Sequence, residues 1–375
     1  MSSVFVINSK LLIIPLELKM FISIIVLFLL YHPNNSGMIE ERQYLYLSDY
    51  MYGGCATFTA HLLHSLGKKY VLYLIKRGFK EEIRKGDFGY GIYYQNLSIE
   101  ALDTIKNPFI TDMYKHFHLL KKLKRNDITI VIHDPIEIFK ENEPYLKYWN
   151  IICIRKTFQQ YLKSIYNLNP KFLYHPFYPY PTQKNDNNDN DDDNNILTKT
   201  KAVSISRVDY CKHIDIILDA NKLIRLKHND DDNNNSIKIY GCIDSKYVHD
   251  VLGMEHFKQY YHGKFKKSFS AISKILSKAK FMVDLSVIQY DGGGTQYTFL
   301  EAIHNDVALI INRKWIEDVD PKYRDFKEGY NCYAVSNGQE LAEIINNSKN
   351  IDTTQIVHNA KKLMNRHIKV DWSSV

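Results

Sequence analysis

Cysteine is scarce and scattered in this chain. Its five residues, Cys55, Cys153, Cys211, Cys242 and Cys332, are odd in number and form no CxxC pair. That pattern argues against a disulfide framework or a zinc site and fits a reducing compartment, with the cytoplasmic side expected. Long apolar runs are missing as well. Residues 11–31 are mostly apolar, but Pro15, Glu17 and Lys19 interrupt them. The uninterrupted stretch from Met20 to Tyr31 falls short of the ~20 residues a spanning helix needs. Residues 1–37 therefore read as a marginal membrane anchor, a signal-peptide core or an extension ahead of Met38. Negative charge is also thinner than it looks. Eight of the 42 acidic residues (Asp186, Asp189, Asp191, Asp192, Asp193, Asp230, Asp231 and Asp232) lie in two Asn/Asp runs that cannot pack. Without them, 49 bases face 34 acids, a net charge of +15. The folded body thus favours anionic partners: nucleotides, nucleic acid or an acidic membrane surface.

A length of 375 residues exceeds one ordinary core and fits two domains of roughly 150 residues. From residue 44 short apolar runs alternate with helical periodicity. Strands are expected at Tyr44–Leu47, Tyr70–Ile75, 90–94, Ile128–Ile132 and Ile151–Ile154, with Met113, Phe117 and Leu120 on a helix between them. The segment His175-Pro176-Phe177-Tyr178-Pro179-Tyr180-Pro181 breaks the pattern, because proline fits neither a helix interior nor a central strand. The Asn/Asp run 185–195 follows, a composition that fits an AT-rich genome such as that of a large DNA virus or a protist. Alternation resumes with strands at Ala202–Ser206, Ile237–Gly241, Phe281–Leu285 and Val307–Ile311, and another ending at Tyr260–Gly263. Helices are expected around Ile214–Ile224, Phe269–Leu276, 338–347 and 353–365. The division reads as 38–175, an N-terminal Rossmann-like domain; 176–199, a linker with a disordered Asn/Asp insert; 200–350, a second Rossmann-like domain; and 351–375, a closing helix and tail. The class is α/β, two Rossmann-like domains with parallel sheets facing across a cleft, the usual ligand site of such folds.

Two segments carry chemistry. Val203-Ser204-Ile205-Ser206-Arg207 is a strand running into a turn, with Lys212 five residues on. Arginine offers a fork of donors to phosphate oxygens and lysine a mobile point charge. Asp291-Gly292-Gly293-Gly294-Thr295 follows a buried strand and opens a helix that carries Glu301. Bare backbone amides at a helix N-terminus suit an anion, and a carboxylate further along suits ribose hydroxyls. The bland alternatives are solvated surface bases, a flexible turn and an exposed glutamate. The lysines Lys264, Lys266, Lys267, Lys274, Lys278 and Lys280 read as a solvated face, and Lys121, Lys122, Lys124 and Arg125 as a second basic stretch. Asp189-Asn190-Asp191 imitates a metal-binding DxD but sits in low-complexity sequence, so no metal is expected.

Taken together, Ser206-Arg207-x-Asp209-x-x-Lys212-x-x-Asp215 and Asp291-Gly292-Gly293-Gly294 followed by Leu300-Glu301-Ala302 resemble retaining glycosyltransferases of the GT-B fold, the glycogen-synthase-like group. Gly53-Gly54 before a helix resembles that group's first N-terminal loop, and Ile132-His133-Asp134 its histidine-bearing strand end. The resemblance implies sugar transfer from a nucleotide-diphosphate donor, a UDP- or GDP-sugar, with retention and without a further cofactor. It implies diphosphate binding by Arg207 and Lys212, ribose binding by Glu301, and a donor-sugar or leaving-group contact from His133. Gly53, Gly54, Gly241, Gly292, Gly293, Gly294 and Thr295 are expected near the nucleotide. One departure matters: the group's usual second glutamate, near the donor sugar, falls at Gly293; Asp291, the nearest carboxylate, is expected either to substitute for it catalytically or to cap the helix. That departure keeps a catalytically degenerate binding subunit among the readings. A sugar epimerase and a DNA-modifying glucosyltransferase stand beside it, the latter because of the +15 body.

Overall fold

The computed structural model describes residues 4–7, 10–13, 42–47, 51, 53–67, 70–75, 85–98, 100–113, 126–138, 143–182, 201–228, 235–287 and 294–375. It forms two units, residues 1–41 and 42–375. In the first, Val4–Ile7 (β1) and Lys10–Ile13 (β2) make an antiparallel hairpin. Of the apolar segment 11–31 only Leu11–Ile13 is described, as strand; the rest of that expectation lies outside the described residues. Among the described residues, no helix is long and apolar enough to cross a membrane.

The second unit contains two sheets. Arg42–Tyr46 (β3), Tyr70–Ile75 (β4), Lys85–Gly89 (β5), Ile92–Leu97 (β6), Phe109–Asp112 (β7), Thr129–Ile132 (β8), Asn150–Cys153 (β9) and Lys171–Phe172 (β10) form one, in the order β10-β9-β8-β7-β3-β4-β6-β5. All its pairs are parallel except β5–β6. Lys201–Ser204 (β11), Lys238–Ile239 (β12), Ala279–Asp284 (β13), Ala308–Asn312 (β14) and Tyr333–Val335 (β15) form the other, all parallel, in the order β12-β11-β13-β14-β15. Strands such as Thr-Ile-Val-Ile of β8 and Ala-Leu-Ile-Ile-Asn of β14 are buried along their whole length. That is what a parallel sheet covered on both faces demands.

The helices that bear on the site are Gly54–Leu66 (α1), Lys156–Tyr166 (α2), Ile214–His228 (α3), Phe269–Leu276 (α4), Tyr297–His304 (α5), Gly338–Asn346 (α6) and Thr354–Ile368 (α7). Glycines bracket α1: Gly53 enters it at φ 84° and Gly67 leaves it at φ 70°, values that β-carbons resist. Beyond α7 the tail reaches the N-terminal half, where Trp372 packs edge-on against Phe58 and donates its indole N–H to the Tyr174 carbonyl (3.1 Å).

Several expectations change. Phe109–Asp112 is a strand between β3 and β8 that the periodicity passed over. The tyrosine-rich 90–94 segment is half turn: Tyr90 and Gly91, at φ 56° and 75°, close the two-residue β5–β6 hairpin. Tyr260–Gly263 contributes one bridge, Ile239 to Tyr261, rather than a strand. Met113 is buried just after β7, while Phe117 and Leu120 of the expected helix, the basic stretch 121–125, the run 185–195 and residues 229–234 lie outside the described residues. The proline segment has no helix or strand, as expected, yet it is anchored, with Phe177 and Tyr180 buried.

Four histidines, His61, His133, His175 and His367, are buried in this unit, and burial lowers the affinity of each for a proton. His133 and His367 are brought down to about 4 from an ordinary 6.5. The unfolded chain therefore binds protons below about pH 6.5 that the native state refuses until about pH 4. Stability should be full above about pH 6.5 and fall steadily toward pH 4, by on the order of 3 kcal/mol for each of these two groups. Denaturant midpoints measured between pH 7 and pH 4 check this; a flat profile across that window would contradict it.

Candidate active site

The exits of β11 and β13 and the start of α5 converge. After β11 the chain turns through Ser206 and Arg207 into the short helical turn Tyr210–Lys212, capped by Asp209, whose carboxylate accepts from the Cys211 N–H (3.1 Å). Arg207 stays exposed, with Nε 3.3 Å from Asp209 Oδ2. Lys212 is different: it is buried, and its ammonium donates to Gln296 Oε1 at 2.8 Å and lies 3.7 Å from Asp284 Oδ2. Gln296 is the N-cap of α5 but caps no N–H with its side chain. Lys212 thus stands at the positive end of α5, where anions are favoured.

The N-terminal half meets this place from the other side. A β-carbon on Gly53 would stand 3.7 Å from Cδ of Arg207, so the entrance to α1 faces the arginine. A β-carbon on Gly294 would lie 2.8 Å from Arg155 Cγ and 3.0 Å from the Ile154 carbonyl, which requires glycine where the two halves touch. Gly54 opens α1 with free space beside it. Gly241, at φ 146°, would put a β-carbon 1.9 Å from the Ser206 carbonyl. It is a packing glycine that lets two strand exits run side by side. Thr295 is buried. Asp291, Gly292 and Gly293 lie outside the described residues.

Glu301 sits where sequence spacing did not place it. The helix begins at Tyr297, so Gly294 precedes it and shares no stripe with the glutamate. Glu301 is buried, with both oxygens occupied. His61 on α1 donates Nε2–H to Oε1 (3.0 Å), since its Nδ1 accepts the Tyr178 N–H (3.0 Å). The Tyr180 hydroxyl donates to Oε2, accepts from Asn305 Nδ2 (3.1 Å), and Asn305 Oδ1 accepts from Ser273 (2.7 Å). Burial, then the adjacent carboxylate, holds the Tyr180 phenol protonated far beyond its ordinary range. The imidazole of His61 is sandwiched between the rings of Phe177 (4.5 Å) and Tyr297 (4.8 Å).

His133 is buried edge-on to Phe58 and donates Nε2–H to the Thr111 carbonyl (2.8 Å). Burial keeps it neutral, with Arg155 adding to the effect. Its own carbonyl accepts from Arg155 Nη1 (2.8 Å). Beside it, Glu137 accepts the His133 N–H (3.2 Å), and burial with two neighbouring aspartates raises its carboxyl well above the ordinary range.

No protein-family model matches the sequence, and no curated protein matches it either. Solved structures do match. HepE from Anabaena, crystallised with UDP and glucose, superposes with a TM-score of 0.59 at 14% identity, over 87% of this chain and 95% of that one. A glycosyltransferase from Rickettsia africae gives 0.53 at 12% identity, over 88% and 94%. An alpha-glucosyltransferase in complex with UDP and a 13-mer DNA containing an HMU base gives 0.58 at 11%, over 88% and 94%. The fold is GT-B.

Within the GT-B frame two expectations are corrected. Glu301 is not an open acceptor for ribose hydroxyls in this structure; it is the centre of a hydrogen-bonded joint between α1, the proline segment and α5. Lys267 and Lys280 do not belong to a solvated face. Lys267 donates to the carbonyls of Met51 (2.7 Å) and Phe88 (3.0 Å) in the N-terminal half, and Lys280 to that of Ser348 (2.7 Å). His61, Asp284 and Gln296 went unremarked in the sequence, and Tyr180 and Lys267 were given no part in a site. A polar residue ending the apolar run Phe281-Met282-Val283-Asp284 was the one signal available for any of them. Among the described residues, no cluster of histidine, cysteine or carboxylate side chains could hold a metal ion.

Replacing Glu301 with glutamine forces an amide N–H₂ toward a donor already in place, His61 or Tyr180. E301Q should lose about 1–3 kcal/mol of stability, the cost of a buried donor left without an acceptor. Urea unfolding measures it. An unchanged midpoint would mean that the carboxylate faces solvent instead.

Proposed function

We propose that this chain is a glycosyltransferase that moves a sugar from a nucleoside-diphosphate donor, UDP-linked in the first instance, to a hydroxyl-bearing acceptor. The observation that carries the reading is the placement of Lys212. Its ammonium is buried at the start of α5, beside the exits of β11 and β13, while Arg207 lies across from the entrance to α1. Ligands of open α/β sheets bind beyond the carboxyl ends of the strands. The GT-B fold, with neighbours crystallised with UDP or UDP-glucose, supports a nucleotide-sugar donor.

In the transfer the bond between the sugar's anomeric carbon and the diphosphate oxygen breaks, the acceptor's hydroxyl oxygen bonds to that carbon, and the hydroxyl proton passes to the departing diphosphate or to solvent. Negative charge grows on the departing diphosphate. Fixed donors and cations aimed at that charge are usually the largest catalytic contribution. Lys212 supplies a placed charge and Arg207 a mobile, forked one. Retention of configuration, a metal-independent reaction and an acceptor seat in the N-terminal half complete the proposal, on the resemblance in the two motifs. Glu301 is left out of it, because it is buried and each of its oxygens already accepts a hydrogen bond within the protein.

Calorimetric titration with UDP, GDP and ADP tests the reading, together with turnover of the matching glucose donor. Arg207→Ala and Lys212→Ala should each weaken diphosphate binding and cut turnover at least about tenfold, roughly 1.4 kcal/mol of transition-state stabilisation. Unchanged rates in both variants would defeat the phosphate assignment. Binding without any transfer or hydrolysis would instead favour a degenerate binding subunit.

A further inference from the structure

Lys212 raises a question the proposed function leaves open: what keeps a flexible ammonium in place before any diphosphate arrives. A lysine side chain carries about 2 kcal/mol of rotamer entropy and is strongly hydrated, so a buried, fixed one needs a partner. We propose that Asp284, the last residue of β13, is the positioning residue of the phosphate site and holds the Lys212 ammonium at the start of α5. The inference rests on the phosphate reading of Lys212.

Asp284 is itself held from two directions. Its Oδ1 accepts the Ser286 N–H (3.0 Å), and its Oδ2 accepts the Thr298 hydroxyl (2.6 Å). Ser286 lies on the exit of β13 and Thr298 in the first turn of α5, so the carboxylate is indexed to both elements. Oδ2 is also the oxygen facing Lys212, at 3.7 Å, and the aspartate is fully buried. Lys212 reaches it from the turn after β11. Three separate parts of the sheet's ligand edge therefore meet at one carboxylate.

The donors of the ammonium can be assigned. One N–H goes to Gln296 Oε1, and Asp284 Oδ2 lies 3.7 Å away, an ion pair rather than a hydrogen bond. An ammonium has three N–H groups, and among the described residues only Gln296 accepts one of them, which leaves donors for a phosphate oxygen. Asp284 also balances the buried charge while the site is empty. Removing one member of such a pair leaves the other uncompensated and typically costs about 3–5 kcal/mol. A purely structural strut between β13 and α5, by contrast, would act through Thr298 and be indifferent to Lys212.

A double-mutant cycle separates the two. Lys212→Met, Asp284→Asn and the double variant are titrated with UDP and with uridine, and their unfolding midpoints are measured. Asp284→Asn alone should weaken UDP binding at least about tenfold and leave uridine within about twofold, which also shows that the variant is folded. In the Lys212→Met background the same change should alter UDP affinity by less than about twofold and should restore stability, since it removes the carboxylate left unpaired there. Wild-type UDP affinity in Asp284→Asn, or an equal loss in both backgrounds, would overturn the assignment to Asp284. Absence of UDP, GDP and ADP binding in the unsubstituted chain would defeat the phosphate reading itself, and the Asp284 role with it.

Discussion

The buried carboxylate of Glu301 is the constraint on which the arrangement of the GT-B halves depends. An ionised carboxyl without water must have its oxygens satisfied, or burial becomes prohibitive. Here one oxygen is served from α1 by His61 and the other from the proline segment by Tyr180. All the donors in the chain from Ser273 through Asn305 and Tyr180 to Glu301 point one way, and so does the Tyr178 N–H to His61. No member can turn without stranding its neighbour, so the network specifies a geometry as well as joining elements. The rings of Phe177 and Tyr297 close over His61 and keep water out. Because α5 carries the glutamate, the same joint fixes the helix whose N-terminus faces Lys212.

Lys267 adds a second attachment between the halves. It donates to Met51, two residues before Gly53, and its own carbonyl accepts the Tyr90 N–H (2.8 Å). Tyr90 sits in the tip of the β5–β6 hairpin, a position that favours glycine, and is held there by the Phe269 ring (4.9 Å) as well as by that bond. The entrance to α1 is thereby tied to the segment leading into α4. Gly53 comes to lie beside Arg207 because both are anchored nearby, not because either attracts the other.

Much of the fold was legible because parallel strands buried on both faces are predominantly apolar, and Ile128–Ile132, Phe281–Leu285 and Val307–Ile311 are, with no more than one polar residue each. The observed strands begin or end within two residues of those runs. Phe109–Asp112 was missed because a four-residue strand ending in Thr-Asp carries too little pattern to stand out beside the helical spacing that follows it. Lys85–Gly89 was missed because an edge strand with two glycines need not alternate. The candidate site divides the same way. The placement of Arg207 and Lys212 at a strand exit could be read because it depends on a local turn after a strand. The fate of Glu301 could not, because its partner His61 lies 240 positions earlier and spacing along one helix says nothing about the helix opposite.

The two cations at the candidate phosphate site are not equivalent, and their surroundings say how they differ. Arg207 is half exposed and shares its charge with Asp209 in solvent, where ions screen an interaction within about 10 Å at moderate salt. Its contribution to holding a diphosphate is weak per contact and sensitive to ionic strength, but a mobile fork can follow a leaving group as it moves. Lys212 is shielded from solvent and already compensated by Asp284, so little reorganisation remains when an anion arrives. Low local dielectric strengthens whatever it touches. A leaving group needs both kinds of charge: one preset where the negative charge will grow, and one free to accompany it. On the proposed reading, the burial of Lys212 and the exposure of Arg207 would provide that pair from a single turn of chain.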